Sequence, residues 1–158
     1  MICAICMNPM NNSKFCAMEI VKCNESDYET LAGIWERSVL STHNFLRIED
    51  FNEIKRVLIP NYFPNVNLYA IADNGVYAGF IGLGPDSIEM LFIDSGRRGQ
   101  GYGSALFEFA LQEGATKVDV NEQNPSALNF YKAKGFRIIS KDETDDAGRP
   151  YPILHLSL

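Results

Sequence analysis

Ile88-Glu-Met-Leu-Phe-Ile-Asp-Ser-Gly-Arg-Arg-Gly-Gln-Gly-Tyr-Gly-Ser-Ala-Leu-Phe-Glu-Phe-Ala110 is the stretch whose reading decides the fold. It opens on a short run rich in Ile, Leu and Phe, the composition of a buried strand, and closes with Leu106, Phe107 and Ala110 at helical spacing. Between the two lies a glycine-rich turn carrying Arg97 and Arg98, which suits an anion. Gly99, Gly101 and Gly103 remove Cβ atoms at alternate positions, so the backbone can approach a ligand closely. Ser104 is expected to open the helix, whose first amides lack partners and whose dipole favours negative charge. A pyrophosphate would take those hydrogen bonds, with Arg97 or Arg98 adding positive charge. The same composition also fits a flexible strand-to-helix connection with no chemical role.

Spacing excludes two common phosphate loops. A P-loop needs Gly-Lys followed by Ser or Thr, and the stretch has no Lys. The dinucleotide fingerprint needs its third glycine three residues after the second, whereas Gly101 is followed by Gly103. The spacing Arg98-x-x-Gly101-x-Gly103 resembles the acyl-coenzyme A pyrophosphate loop of the GNAT N-acetyltransferase superfamily. A second segment, Asn124-Pro-Ser-Ala127-Leu-Asn-Phe130-Tyr131-Lys-Ala-Lys-Gly135-Phe136, resembles that family's Asn-x-x-Ala-x-x-Phe-Tyr-x-x-x-Gly-Phe motif. It falls about one strand and one helix after the loop, as in the family. The resemblance runs from about Met18 to Leu158, and Ser95 departs from it where the family often has Pro.

The resemblance implies an α/β (α+β) GNAT fold, a mixed and mainly antiparallel sheet of about six to seven strands, flanked by about four helices and with splayed central strands. The order of elements agrees with it. Glu19 to Cys23 reads as a first strand, and Ser26-Asp-Tyr-Glu29 as a capping box opening a helix with Leu31, Ile34, Trp35 and Val39 on one side. A second helix carries Phe51, Ile54, Val57 and Leu58 until Pro60 ends it. Leu68–Ala72 and Val76–Leu83 flank an Asn74-Gly75 turn, a hairpin signal. After the Ile88–Ala110 stretch come a strand over Thr116–Val120, a helix over Pro125–Lys134 stopped by Gly135, and strands over Phe136–Lys141 and Ile153–Leu158 joined by a long acidic loop.

At 158 residues the chain reads as one domain, residues 18–158, preceded by a disordered extension over 1–17. A net charge of −6 argues against an extended basic surface for nucleic acid or anionic lipid. No apolar run is long enough to span a bilayer. Cys3 and Cys6 have Cys-x-x-Cys spacing, but Cys16 and Cys23 are too widely spread to complete a zinc site, so the thiols read as free in a reducing cytosol and no metal is expected. A cytoplasmic protein, monomer or homodimer, is the expectation.

The resemblance also assigns residues. Acetyl-CoA as cosubstrate would be held by Phe92, Ile93, Arg98, Gly99, Gln100, Gly101, Tyr102, Gly103, Ser104 and Asn124. In GNAT enzymes the strand before the loop splays from its neighbour and a free amide, here of Phe92 or Ile93, binds the thioester carbonyl, a contact worth about 3 to 4 kcal/mol against developing charge. Tyr131 matches the family's tyrosine acid, and a phenol of pKa about 10 can donate to a thiolate of pKa about 8 to 9. It also fits a packed helical tyrosine beside Phe130. Asn124 is either the ligand of the pantetheine arm or the N-cap before Pro125. Asp119 stands where some protein-acetylating relatives keep a glutamate and is the candidate base; Glu89, on the strand face of Leu91 and Ile93, is its rival, and either could be a solvated strand residue. His43, Arg47, Arg149 and Tyr151 are expected near the acceptor mouth, with packing and surface charge as the alternatives. His155 alternates with apolar neighbours and reads as structural.

Three functions fit: an N-acetyltransferase acting on an amine by direct attack in a ternary complex, a non-catalytic acyl-CoA sensor, and an interaction domain with an empty loop. The first is favoured by Tyr131 paired with Asp119. The acceptor amine, whether protein lysine, N-terminus or small molecule, is not legible from fold and cofactor.

Overall fold

The computed structural model describes residues 18–158. The extension assigned to 1–17, with Cys3, Cys6 and Cys16, lies outside the described residues. Seven strands, β1 (Met18–Lys22), β2 (Asn67–Asp73), β3 (Val76–Leu83), β4 (Ser87–Ile93), β5 (Lys117–Asn121), β6 (Arg137–Asp142) and β7 (Ile153–Ser157), form one sheet in the order β1-β2-β3-β4-β5-β7-β6. Neighbours are antiparallel except β4 and β5, which run parallel. Among the described residues four α-helices accompany the sheet: α1 (Tyr28–Thr42), α2 (Ile48–Val57), α3 (Tyr102–Gln112) and α4 (Pro125–Ala133). None of the helices described is long and apolar enough to cross a membrane.

The sheet separates two cores, because successive strand residues point to opposite faces. On one face Leu31, Ile34, Trp35 and Val39 of α1 meet Phe51, Phe63 and Phe80, with Trp35 stacked on Phe51 at 5.3 Å. On the other, Leu106, Phe107 and Ala110 of α3 meet Ile81, Val118, Val120, Phe136 and Leu156, and Phe107 is enclosed by Phe130, Tyr131 and Phe136. Burying a side chain the size of Phe107 stabilises the fold by about 1.5–3 kcal/mol.

Local chemistry explains most element ends and corrects three. Asn74 and Gly75 both have positive φ, 50° and 79°, the requirement of the tight hairpin turn joining β2 and β3. The capping box is formed by Asn24 and Asp27, not Ser26 and Glu29: the Asn24 side chain accepts from Ser26 N, and the Asn24 amide donates to Asp27 Oδ2 at 2.9 Å. It opens a single 3₁₀ turn, Glu25–Asp27, that runs into α1. Pro60 does not end the second helix; α2 stops at Val57 and the chain continues as a π-helical turn, Leu58–Tyr62, with Pro60 inside it. The helix after the glycine-rich turn begins at Tyr102 rather than Ser104, with Gly101 as its N-cap.

One irregularity matters for the site. β4 pairs with β5 only through Ser87↔Lys117 and Ile88↔Val118, and beyond those pairs the strands part. The expected splay of the central strands is therefore present, bounded by Glu89–Ile93 on one side and Asp119–Asn121 on the other.

Candidate active site

The loop between β4 and α3 is held from both faces of the sheet. Arg37 of α1 grips Asp94 with two hydrogen bonds, Nε to Oδ1 at 3.0 Å and Nη2 to Oδ2 at 2.9 Å, a bidentate pairing that fixes orientation as well as distance. Asp73, at the end of β2, accepts a short hydrogen bond from the buried Tyr102 hydroxyl and lies 3.6 Å from Arg97 Nη1. Arg97 is thus already neutralised. Arg98 forms no ion pair among the described residues and reaches only Ser126 Oγ, at 3.4 Å. Of the two arginines it is the cation left for an anion.

Gly99 and Gly101 have φ of 75° and 88°, a region that side chains with a Cβ rarely enter, so their glycines are conformational requirements. Gly103 is different: it sits inside the first turn of α3, where an added Cβ would meet Ile93 and Phe130 at ordinary contact distances of 3.8 Å and more. The first intrahelical bond runs from Ala105 N to Gly101 O, at 3.1 Å, which leaves the amides of Tyr102, Gly103 and Ser104 without helical acceptors. Tyr102 offers that amide only, since its side chain is turned into the core.

Next to this loop a cavity of about 260 Å³ passes through the splay. Ser38, Thr42 and His43 line it on the α1 side, and Gly103, Ala127, Phe130 and Tyr131 on the α3 and α4 side, with Leu91, Phe92, Ile93 and Asp119 between. Strand pairing decides which amide faces the gap. Asp94 N donates to Ala78 O at 2.9 Å, so Ala78 and Asp94 form a hydrogen-bonded pair. In an antiparallel ladder such pairs alternate, which turns the Phe92 amide toward Phe80 and the Leu91 and Ile93 amides into the splay. Between Phe92 and Ile93, the free amide is that of Ile93.

Tyr131 is buried, and burial pushes its phenol well above the usual tyrosine range, which keeps it protonated at any physiological pH. Asn124 is the N-cap of α4, its side chain accepting from Ala127 N at 3.2 Å, and it also lines the cavity. Its oxygen is committed to the helix, leaving only the amide NH₂ for a ligand. Asp119 lies opposite His155 on the next strand, and its carboxylate meets His155 Nδ1 at 2.6 Å. Val118 and Val120 enter the α3-side core, so Asp119 projects toward the α1 side.

Glu89 corrects a simple alternation. The register shifts between Gly82 and Leu83, putting Glu89 in a β-bulge between Ile88 and Met90, so it does not share a regular face with Leu91 and Ile93. Its carboxylate turns back to accept from Ser87 Oγ at 2.5 Å, though the residue still borders the cavity. His43 caps α1 at the boundary between the large cavity and a smaller apolar pocket lined by Val39, Leu40, Leu46, Ile48 and Phe51. Burial, with Arg98 nearby, pulls its imidazole down to about 4, and Nδ1 meets the Thr42 hydroxyl at 2.8 Å.

Arg47, Arg149 and Tyr151 do not line the cavity. They surround Asp50, a buried carboxylate on α2. The Tyr151 hydroxyl donates a short bond to Asp50 and accepts from Arg47 N at 3.1 Å, Arg47 Nε donates to Asp50 at 2.9 Å, and Arg149 lies 3.7 Å from Asp50 and 3.2 Å from Glu53. These contacts, the Tyr151 hydroxyl foremost, hold the Asp50 carboxyl below the usual carboxylate range. A buried carboxylate needs such partners. The three residues therefore tie the β6–β7 connection to α2, outside the cavity.

The fold and the loop define a class. Residues 40–152 match the acetyltransferase (GNAT) domain model, and the chain belongs to that family. It is 39% identical over 142 residues to the peptidyl-lysine N-acetyltransferase YjaB of Salmonella typhimurium, covering 88% of this chain and 97% of that protein. Its identity to the Escherichia coli YjaB, of the same description, is 37% over 142 residues, covering 89% and 96%. The solution structure of apo-form YjaB from Escherichia coli superposes with a TM-score of 0.81, again over 89% and 96% of the two chains. The expected sheet and helices are those of the family, and the chain is an N-acetyltransferase that uses acetyl-CoA.

Proposed function

We propose that the chain transfers the acetyl group of acetyl-CoA to the side-chain amine of lysine in a peptide or protein. The observation that carries this reading is the cavity through the splay, which brings a free backbone amide, a protonated phenol and a carboxylate to one opening. The acceptor class is supported by the two relatives described as peptidyl-lysine N-acetyltransferases at 39% and 37% identity. It is also supported by the carboxylates of Asp119 and Glu89 at the cavity, which suit a cationic amine.

Acetyl-CoA supplies an activated acyl group; its pyrophosphate would be held by the amides of Tyr102, Gly103 and Ser104, the turn Gly99–Gly101 and the side chain of Arg98. The Ile93 amide meets the charge developing on the acyl oxygen, a contact worth about 3 to 4 kcal/mol. Asp119 takes the proton released by the attacking nitrogen, and Tyr131 gives its proton to the departing sulfur. Direct attack is supported by the placement of Cys23. Cys23, the cysteine among the described residues, is buried away from the cavity, and burial lifts its thiol to about 12. A free thiol also suits a cytoplasmic setting.

The test is thiol release from acetyl-CoA with an N-blocked lysine peptide, an α-amine peptide, spermidine and an aminoglycoside. Lysine-dependent release that falls about 100-fold or more in Tyr131→Phe supports the reading. Tight acetyl-CoA binding with no acceptor-dependent release would replace it with the sensor reading.

A further inference from the structure

Three strands place three titratable groups side by side on the α1-facing side of the sheet. His155 of β7 is paired across the ladder with Asp119 of β5 and lies near Asp142 of β6. Its Nδ1 is 2.6 Å from Asp119 Oδ1 and its Nε2 is 2.9 Å from Asp142 Oδ2. Leu154 and Leu156 are buried in the α3-side core, so the strand holds the ring outward at this spot.

We infer that His155 is the positioning residue for Asp119: bridged between Asp119 and Asp142, its ring fixes one oxygen of the Asp119 carboxylate and leaves the other for the acceptor amine. The inference rests on the reading of Asp119 as proton acceptor and adds to it the means by which that carboxylate is aimed. Asp119 needs such help, because its side chain is 63% exposed and would otherwise sample several rotamers. Both carboxylates only accept hydrogen bonds, so both contacts are satisfied only when both ring nitrogens carry protons. Asp142 and then Asp119 hold that imidazolium, raising His155 above the ordinary histidine value.

These two are the charged groups that face the ring. Lys117, next on the same side of β5, is held by Asp86 at 2.7 Å, and Lys141 beside Asp142 by Glu122 at 2.9 Å and Glu143 at 3.4 Å. The cluster therefore carries one net negative charge beside the cavity, which a single ammonium neutralises.

The experiment is a double-mutant cycle on the full chain with acetyl-CoA and an N-blocked lysine peptide, using His155→Gln, Asp119→Asn and their combination, with Asp142→Asn as a second perturbation of the ring. His155→Gln is expected to lower kcat by about 10- to 100-fold with KM for acetyl-CoA unchanged, and to have little further effect once Asp119 is Asn. By NMR, His155 should titrate above the free-histidine midpoint, and Asp142→Asn should lower that midpoint. Equal losses from His155→Gln in both backgrounds, or a His155 midpoint unmoved by Asp142→Asn, would overturn the positioning role. Undiminished turnover in Asp119→Asn would instead remove the proton-acceptor reading beneath it, whatever His155 does.

Discussion

Gly79 stands in β3 opposite Ile93, on the part of β4 that is paired with β3 but has parted from β5. A methyl group placed there would lie 2.6 Å from Ile93 Cδ1, 2.7 Å from the Phe92 carbonyl oxygen and 3.2 Å from Ile93 Cα. The Ile93 methyl can rotate away, but the carbonyl oxygen cannot. Ordinary contact begins near 3.4 Å, so in Gly79→Ala the two strands must separate by about 0.7 Å. Overpacking of this kind costs about 1–3 kcal/mol. For a domain of this size each kcal/mol lowers Tm by about 2–4 °C, which predicts a drop between about 2 and 12 °C. The displaced backbone is also the one whose Ile93 amide faces the splay. Since a misplacement of about 1 Å can cost 100-fold, kcat should fall by about tenfold or more. KM for acetyl-CoA should change little, because the pyrophosphate loop is anchored independently by Arg37 and Asp73. Differential scanning calorimetry and thiol release measure both effects, with Gly96→Ala, where nothing lies within 4 Å, as the control for stability. A Gly79→Ala protein with wild-type Tm and wild-type kcat would refute the reasoning.

Arg98→Ala should raise KM for acetyl-CoA about tenfold, while Arg97→Ala should chiefly lower Tm through loss of its contact with Asp73; steady-state kinetics and calorimetry separate the two. His43 is held near pKa 4, whereas the unfolded chain binds a proton near pH 6.5. Its contribution is complete above about pH 6.5 and is lost as pH falls toward 4, by up to about 3 kcal/mol, and denaturant titrations of wild type and His43→Gln should show that slope flattened in the variant. Asp50→Ala should lower Tm by several degrees, leaving Tyr151 and Arg47 without their shared acceptor. Its KM for acetyl-CoA should stay near wild type, since the cluster lies outside the cavity.

Segments whose structure is set by near neighbours could be read from the residues alone. The Asn74-Gly75 turn, the apolar stripe of α1 and the proline-started α4 all follow from local torsion and spacing, and the glycine-rich loop carried the site with it. Misreadings at short range came from patterns that repeat: Asn24-x-x-Asp27 and Ser26-x-x-Glu29 both satisfy a capping rule, and only tertiary position chooses between them. The bulge at Glu89 was invisible because it arises from a shift against β3. Contacts across long sequence distances left no trace at all. Asp50 looks like an ordinary acid in a first helical turn, yet its hydroxyl partner, Tyr151, is 101 residues away. His155, placed by alternation among structural residues, proves to sit between Asp119 and Asp142, a fact that depends on the β5-β7-β6 strand order.

The parting of β4 and β5 also has a kinetic consequence. A slot lined from both faces of the sheet would, on the proposed reading, let the nucleotide end of the donor lie on one side while a polypeptide approaches from the other. Neither substrate stands in the other's path, so neither must leave before the other can enter. Coenzyme A as product should then compete with acetyl-CoA but not with the peptide, and under the proposed lysine reading a peptide can stay in place while spent coenzyme A is exchanged for fresh acetyl-CoA between turnovers.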